Sequence, residues 1–150
     1  MERWCCVVAA SLLLLGLVAG EPVKYQDCGS ESGKLLVVDV SPCPSLPCKL
    51  IKEKTYDVNV TFVSLTDSVS SKAEVRGILA GVPIPFNLPN DDGCQSGIRC
   101  PIRKNQKCNY INTLLIKSMY PSIKLEVEWM LKDDKGKKIF CWIIPVEISS

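Results

Sequence analysis

Few residues in this chain have the type and spacing for chemistry. The adjacent carboxylates Asp91 and Asp92 could imitate an acid/base pair. The pairs Cys43-x4-Cys48 and Cys94-x5-Cys100 could hold zinc or close short disulfides. There is no His among the 150 residues. Its absence removes the commonest general base and metal ligand together. Neither a Ser-His-Asp nor a Cys-His unit can be built. No Gly-rich phosphate loop leads into a helix. Asp91 and Asp92 fall in the polar loop Pro89–Gly97, where neighbouring carboxylates are solvated. Gly77-x3-Gly81 matches a membrane-helix motif formally but lies in a strand pattern. The expectation is a protein that is not an enzyme, with no catalytic residue, no metal and no cofactor.

Charge narrows the partners. Lys+Arg number 18 against Asp+Glu 16, a net charge of +2. The cations Lys49, Lys52, Lys54, Arg99, Arg103, Lys104 and Lys107 are scattered and lack interleaved aromatics. Nucleic acid is therefore not an expected partner. Hydrophobic residues make up 47% and charged residues 23%, an ordinary globular balance.

The N-terminus sets the compartment. Arg3 precedes an almost unbroken apolar run from Cys5 to Val18, and Val18-Ala19-Gly20 offers small residues for cleavage. Residues 1–20 read as a secretory signal peptide, leaving 21–150 as one soluble domain. Cys5 and Cys6 leave with the signal. Cys28, Cys43, Cys48, Cys94, Cys100, Cys108 and Cys141 remain, an odd set in an oxidising compartment where disulfides are the default.

The elements that must position these residues are strands. Tyr56, Val58, Val60 and Phe62 alternate with polar neighbours, as do Ile123, Leu125, Val127, Trp129 and Leu131. Leu35–Val40, Ala73–Leu79, Tyr110–Ile116 and Ile139–Ile148 are further strands, and Val82–Phe86 is a short edge. Pro145 marks a bulge or an edge position. Asp133–Lys137 reads as a hairpin turn, and three prolines keep Ser41–Cys48 irregular. Roughly seven short strands with turn signals between them imply an all-β sandwich of two antiparallel sheets.

Asn59-Val60-Thr61 is a glycosylation sequon on the polar face of its strand. Glu126 and Glu128 also fall on polar faces, so no charge is buried by pattern. Gly81–Pro89 combines Pro83, Pro85 and Pro89 with Val82, Ile84, Phe86 and Leu88. This is either a rigid cap on the core or an apolar mouth. Trp129 and Trp142 either fill the core or wall a cavity between the sheets.

Seven segments carry a resemblance along the length of the chain. They are EPVKYQDCGS (21–30), SPCPSLPC (41–48), NVTF (59–62), GVPIPF (81–86), DGCQSGIRCPI (92–102), KSMYPSIKLEVEW (117–129) and FCWIIPV (140–146). Their order and spacing resemble the ML (MD-2-related lipid-recognition) family, in its sterol-carrying branch. The resemblance implies an immunoglobulin-like sandwich with disulfides Cys28–Cys141, Cys43–Cys48 and Cys94–Cys100, and Cys108 as a free thiol or an intermolecular link. It implies that cholesterol or a related sterol is carried between the sheets. Phe86, Ile116 and Tyr120 match the mouth; Val40, Leu50, Tyr56, Val58, Ile84, Pro121, Val127, Trp129 and Trp142 match the wall. Ala80 and Val82 match a patch that meets the Niemann–Pick type C membrane transporter of cholesterol. The resemblance further implies a secreted and lysosomal, glycosylated monomer that touches membranes transiently. An alternative branch of the family binds acyl-chain lipids together with a receptor ectodomain.

Overall fold

The computed structural model describes residues 22–150; the expected signal peptide lies outside the described residues. The strands are β1 (Gln26–Asp27), β2 (Gly33–Ser41), β3 (Cys48–Ile51), β4 (Thr55–Ser64), β5 (Lys72–Leu79), β6 (Val82–Phe86), β7 (Lys107–Leu115), β8 (Lys124–Lys132) and β9 (Lys138–Ser149). A single 3-10 turn, Gly93–Gln95, is the only helical element among the described residues. No helix there is long and apolar enough to cross a membrane.

The strands form two layers. One sheet runs β1-β9-β8-β5-β6, with β3 also paired to β9; the other runs β2-β4-β7. The alternation in β4 buries Tyr56, Val58, Val60 and Phe62 against the facing sheet. In β2 the register shifts between Leu35 and Val37, so Leu35 and Val38 both face inward despite their spacing. The predicted hairpin joins β8 to β9. Its buried Asp133 accepts the amides of Lys135 and Lys137, each at 2.9 Å.

All three implied disulfides are present: Cys28–Cys141, Cys43–Cys48 and Cys94–Cys100. The first ties the N-terminal segment to β9. Cys108 is free and buried, so it offers no exposed sulfur for an intermolecular link. Burial pushes its thiol above the ordinary range.

Two expectations need correction. The first sheet is not wholly antiparallel, because β3 runs parallel to β9. A four-residue strand next to prolines carries too short a pattern to be read. Of the two readings of Pro145, the edge position holds: it faces Glu126 in β8 and on its other side falls in the gap between the stretches of β9 paired to β1 and to β3. There its missing N–H leaves no ladder bond unmade. Glu128 is 7% exposed although its parity is outward. It faces Arg76 across the ladder, and Arg76 Nε donates to its Oε1 at 2.6 Å. It also lies beside the Cys28 and Cys141 sulfurs. Met130 interrupts the alternation of β8. It is buried on the same outward side as Glu128, opposite Cys141.

Candidate functional site

The interior of the sandwich is partly hollow. A cavity of about 170 Å³ opens between the sheets at one end of the molecule. The large sheet supplies Val75, Gly77, Leu125, Val127, Val146 and Ile148, with Leu50 from β3. Edge strand β6 adds Ile84, Pro85 and Phe86. The small sheet contributes Leu114, and the segment after β7 brings Ile116, Tyr120, Pro121 and Ile123. These inward positions follow from the two-residue period of the strands. Arg76 borders the cavity, but its guanidinium is held on the outer face by Glu128. The interior therefore presents hydrocarbon and aromatic surface, suited to an apolar molecule bound without directional contacts.

At the mouth, Phe86 and Tyr120 meet edge to face with centroids 5.6 Å apart. Both are half-buried. Desolvation raises the Tyr120 phenol above its ordinary range, so it stays protonated at neutral and acidic pH. Ile116, matched to the mouth, is fully buried in the lining rather than exposed at the rim.

Behind the cavity lies a void of about 10 Å³, bounded by Val40, Val58, Trp129, Trp142 and Ile144. Leu50, Leu114, Val127 and Val146 border both spaces and so form the partition between them. Trp129 and Trp142 stack across the β8–β9 ladder, 5.7 Å apart and 13° from parallel. Trp129 Nε1 donates to the Tyr110 hydroxyl at 3.2 Å, and Asn112 Nδ2 donates to the same oxygen at 2.7 Å. Trp142 Nε1 has no hydrogen-bond partner among the described residues.

Of the residues matched to the wall, Leu50, Ile84, Pro121 and Val127 line the open cavity. Val40, Val58, Trp129 and Trp142 line the inner void. Tyr56 borders neither. It is buried beside them, and its hydroxyl accepts the Ile51 amide at 2.7 Å, which pins β3 to β4. Patterning does not mark Val75, Gly77, Leu114, Ile123, Leu125, Val146 or Ile148 as lining. Their inward parity is legible, but which inward residues face a void and which face one another is not.

Around the mouth lies an apolar surface. Val82 is 60% exposed and Met119 81%, with Leu79 and Ile84 beside Val82 on the β5–β6 hairpin. Ala80 and Gly81 form its two-residue tip with φ of 50° and 80°. The matched patch Ala80 and Val82 thus lies on an exposed apolar hairpin tip. Asn59 lies on the opposite side of the small sheet from the cavity, and its Oδ1 accepts from Asn109 Nδ2 at 3.1 Å.

The adjacent carboxylates form no acid/base pair. Asp92 Oδ1 caps the 3-10 turn by accepting the Cys94 amide at 2.9 Å, while Asp91 lies 3.9 Å from Lys72 Nζ. Neither reaches the cavity.

Comparisons with known proteins bear on this architecture. The family model for the ML domain matches residues 22–148. The chain is 53% identical to the NPC intracellular cholesterol transporter 2 of Bos taurus over 148 residues, covering 99% of each chain. Among solved structures it is similar to a Niemann-Pick type C2 protein from the Japanese carpenter ant, with TM-score 0.80 and 31% identity. That match covers 85% of this chain and all of the other. Chicken MD-1 complexed with lipid IVa shares the fold at TM-score 0.56 and 16% identity, over 82% of this chain and 86% of the other.

Proposed function

This chain belongs to the ML domain family, and from that premise we propose that it binds one cholesterol or related sterol between its sheets and transfers it unchanged. The observation that carries the reading is the hydrocarbon-lined cavity that opens between the sheets. The named relatives are cholesterol transporters, which supports a sterol as the cargo. Burial of apolar surface contributes about 25 cal/mol per Å², enough to hold a sterol by shape and dryness. Its one hydroxyl stays wet at the mouth, so no polar group is buried unpaired.

The cavity of about 170 Å³ is smaller than the roughly 300 Å³ at the low end for small-molecule sites. It therefore widens on loading. Displacement of the Leu114 and Val127 side chains joins the cavity to the inner void, and the Trp129–Trp142 stack forms the floor. The wall strands are fixed by ladders and disulfides, so side-chain movement is the inexpensive route.

Binding and release make no covalent bond and need no nucleophile, base or metal; the protein acts as a carrier and not as an enzyme. The Ala80–Val82 projection with Leu79 and Met119 docks on the membrane cholesterol transporter, and transiently on membranes. Secretion through a signal peptide at 1–20, glycosylation at Asn59 and residence in the lysosomal lumen as a monomer complete the reading.

Titration of the disulfide-intact protein with a fluorescent sterol tests it. Saturable one-to-one binding, weakened by Phe86→Ala, is the expected result. Absence of binding overturns it, and co-purified phospholipid or lipid A in place of sterol assigns the protein to the acyl-chain branch.

A further inference from the structure

Gly77 lies in the interior of β5, paired to Ile84 on one side and Val127 on the other. No turn, bulge or positive φ requires a glycine there. Glycine is among the least favourable residues for a strand interior, so its presence needs another reason. Its parity is inward, and it lines the cavity. A Cβ built on it would come within 2.9 Å of one atom only, Leu125 Cδ1. Leu125 lines the same cavity, and the contacted atom is the end of a flexible side chain that can turn aside. Packing of the empty protein thus does not exclude alanine. What a side chain at 77 would take is room inside the cavity. The bare backbone is a notch bounded by Val75, Ile84, Val127 and Leu125.

We infer that Gly77 is a specificity-determining residue: its notch admits the raised face of a rigid fused-ring ligand and so selects sterols over single acyl chains. The inference rests on the sterol-carrier reading above. A fused ring system with methyl groups standing off one face cannot bend around an added side chain. An acyl chain can, by rotating about its own bonds. In a hydrophobic pocket one methylene of misfit changes discrimination by about 10–200-fold.

The test uses the full secreted, disulfide-intact protein with dehydroergosterol and cis-parinaric acid as fluorescent probes. Gly77→Ala is expected to melt at or slightly above the wild-type temperature. It should bind dehydroergosterol at least about ten-fold more weakly and change cis-parinaric acid binding far less. Adding Val127→Ala returns space directly across the ladder and restores most of the sterol affinity. Unchanged sterol affinity in Gly77→Ala overturns the inference, as does an equal loss for both probes. So does a large fall in melting temperature, which would make Gly77 a packing residue, and so does failure of Val127→Ala to restore binding. If neither protein binds cis-parinaric acid measurably, the sterol loss and its restoration decide. A wild-type protein that binds no sterol overturns the carrier reading itself, which separates the two failures.

Discussion

Phe86 and Tyr120 face each other edge to face across the entrance of the cavity, 5.6 Å between ring centroids. Phe86 stands at the end of β6, an edge strand that pairs with β5 alone, and Tyr120 stands in the loop between β7 and β8. Neither ring is locked into a fully packed core, so the pair can part without disturbing a ladder. Such a contact contributes about 0.5–1.5 kcal/mol beyond area burial. Phe86→Ala should therefore weaken sterol binding about ten-fold, through lost aromatic contact and lost apolar area. The melting temperature should move little, because the rim is half-buried. Titration with a fluorescent sterol and a thermal scan of the same sample check both parts.

The floor of the cavity rests on a polar anchor. Tyr110 is fully buried, and its hydroxyl receives Trp129 Nε1 and Asn112 Nδ2. Burial raises its phenol above the ordinary range, the two hydrogen bonds only partly opposing this. Tyr110→Phe leaves the Trp129 indole N–H without an acceptor. A buried unsatisfied donor costs about 1–3 kcal/mol. Thermal unfolding should shift down by several degrees, and tryptophan emission should change as the indole loses its partner.

Ala80 holds φ of 50° at the first position of a hairpin tip whose second position, Gly81, holds 80°. Two consecutive positive φ values favour Asn-Gly. Ala80→Asn should raise stability by about 0.5–1 kcal/mol, since Asn adopts this region more readily than Ala. Denaturant titration measures it. The same substitution makes the projection polar, so transfer of sterol to the membrane transporter should fall while sterol binding is retained.

Acidity bears on one ion pair with a clear sign. The hydrogen bond from Lys132, at 2.8 Å, holds the Glu74 carboxyl below its usual range, with burial opposing it and the Lys132 charge assisting. A folded-state pKa below the unfolded one contributes stability above the unfolded value, and that contribution is lost as pH falls through the folded value. The pair therefore persists at mildly acidic pH and fails only below the ordinary glutamate range. Lys132→Met should destabilise the protein equally at about pH 7 and about pH 5, with the difference from wild type shrinking at a third, strongly acidic pH as the Glu74 carboxyl takes up its proton. The effect is small because both side chains are partly exposed. Chemical denaturation at the three pH values resolves it.

Asn59 lies on the outer face of the small sheet, away from every cavity-lining residue. Asn59→Gln in secreted protein should remove the mass of one glycan and leave sterol affinity unchanged. Intact-mass measurement before and after glycosidase treatment checks the first part, and a sterol titration the second.

Legibility followed the length of the pattern. Long alternating runs such as Tyr56–Phe62 and Ile123–Leu131 revealed both sheets, because one buried face imposes a period of two. β3 stayed hidden because Cys48–Ile51 shows two inward residues at most and follows three prolines. Glu128 was misassigned because parity says which side of the sheet a residue occupies, not whether that side is covered. Here Arg76 and the Cys28–Cys141 disulfide cover it. The matched mouth and wall residues fall largely around the two voids, with Tyr56 the exception. The hollow itself was not legible. Val, Leu and Trp at inward positions suit a filled core and a cavity equally, and only the packing of one sheet on the other distinguishes them. Gly77 is legible in sequence only as a glycine within a strand pattern, and its relation to Leu125 and the cavity required the fold.

Native mass spectrometry of the secreted, disulfide-intact protein mixed with cholesterol tests sterol carriage most directly. The expected spectrum shows the mass of a single sterol added to each chain, saturating at one, with the adduct reduced in Phe86→Ala. A spectrum with no sterol adduct at saturating cholesterol, or with an acyl lipid retained in its place, would contradict a sterol held between the two sheets.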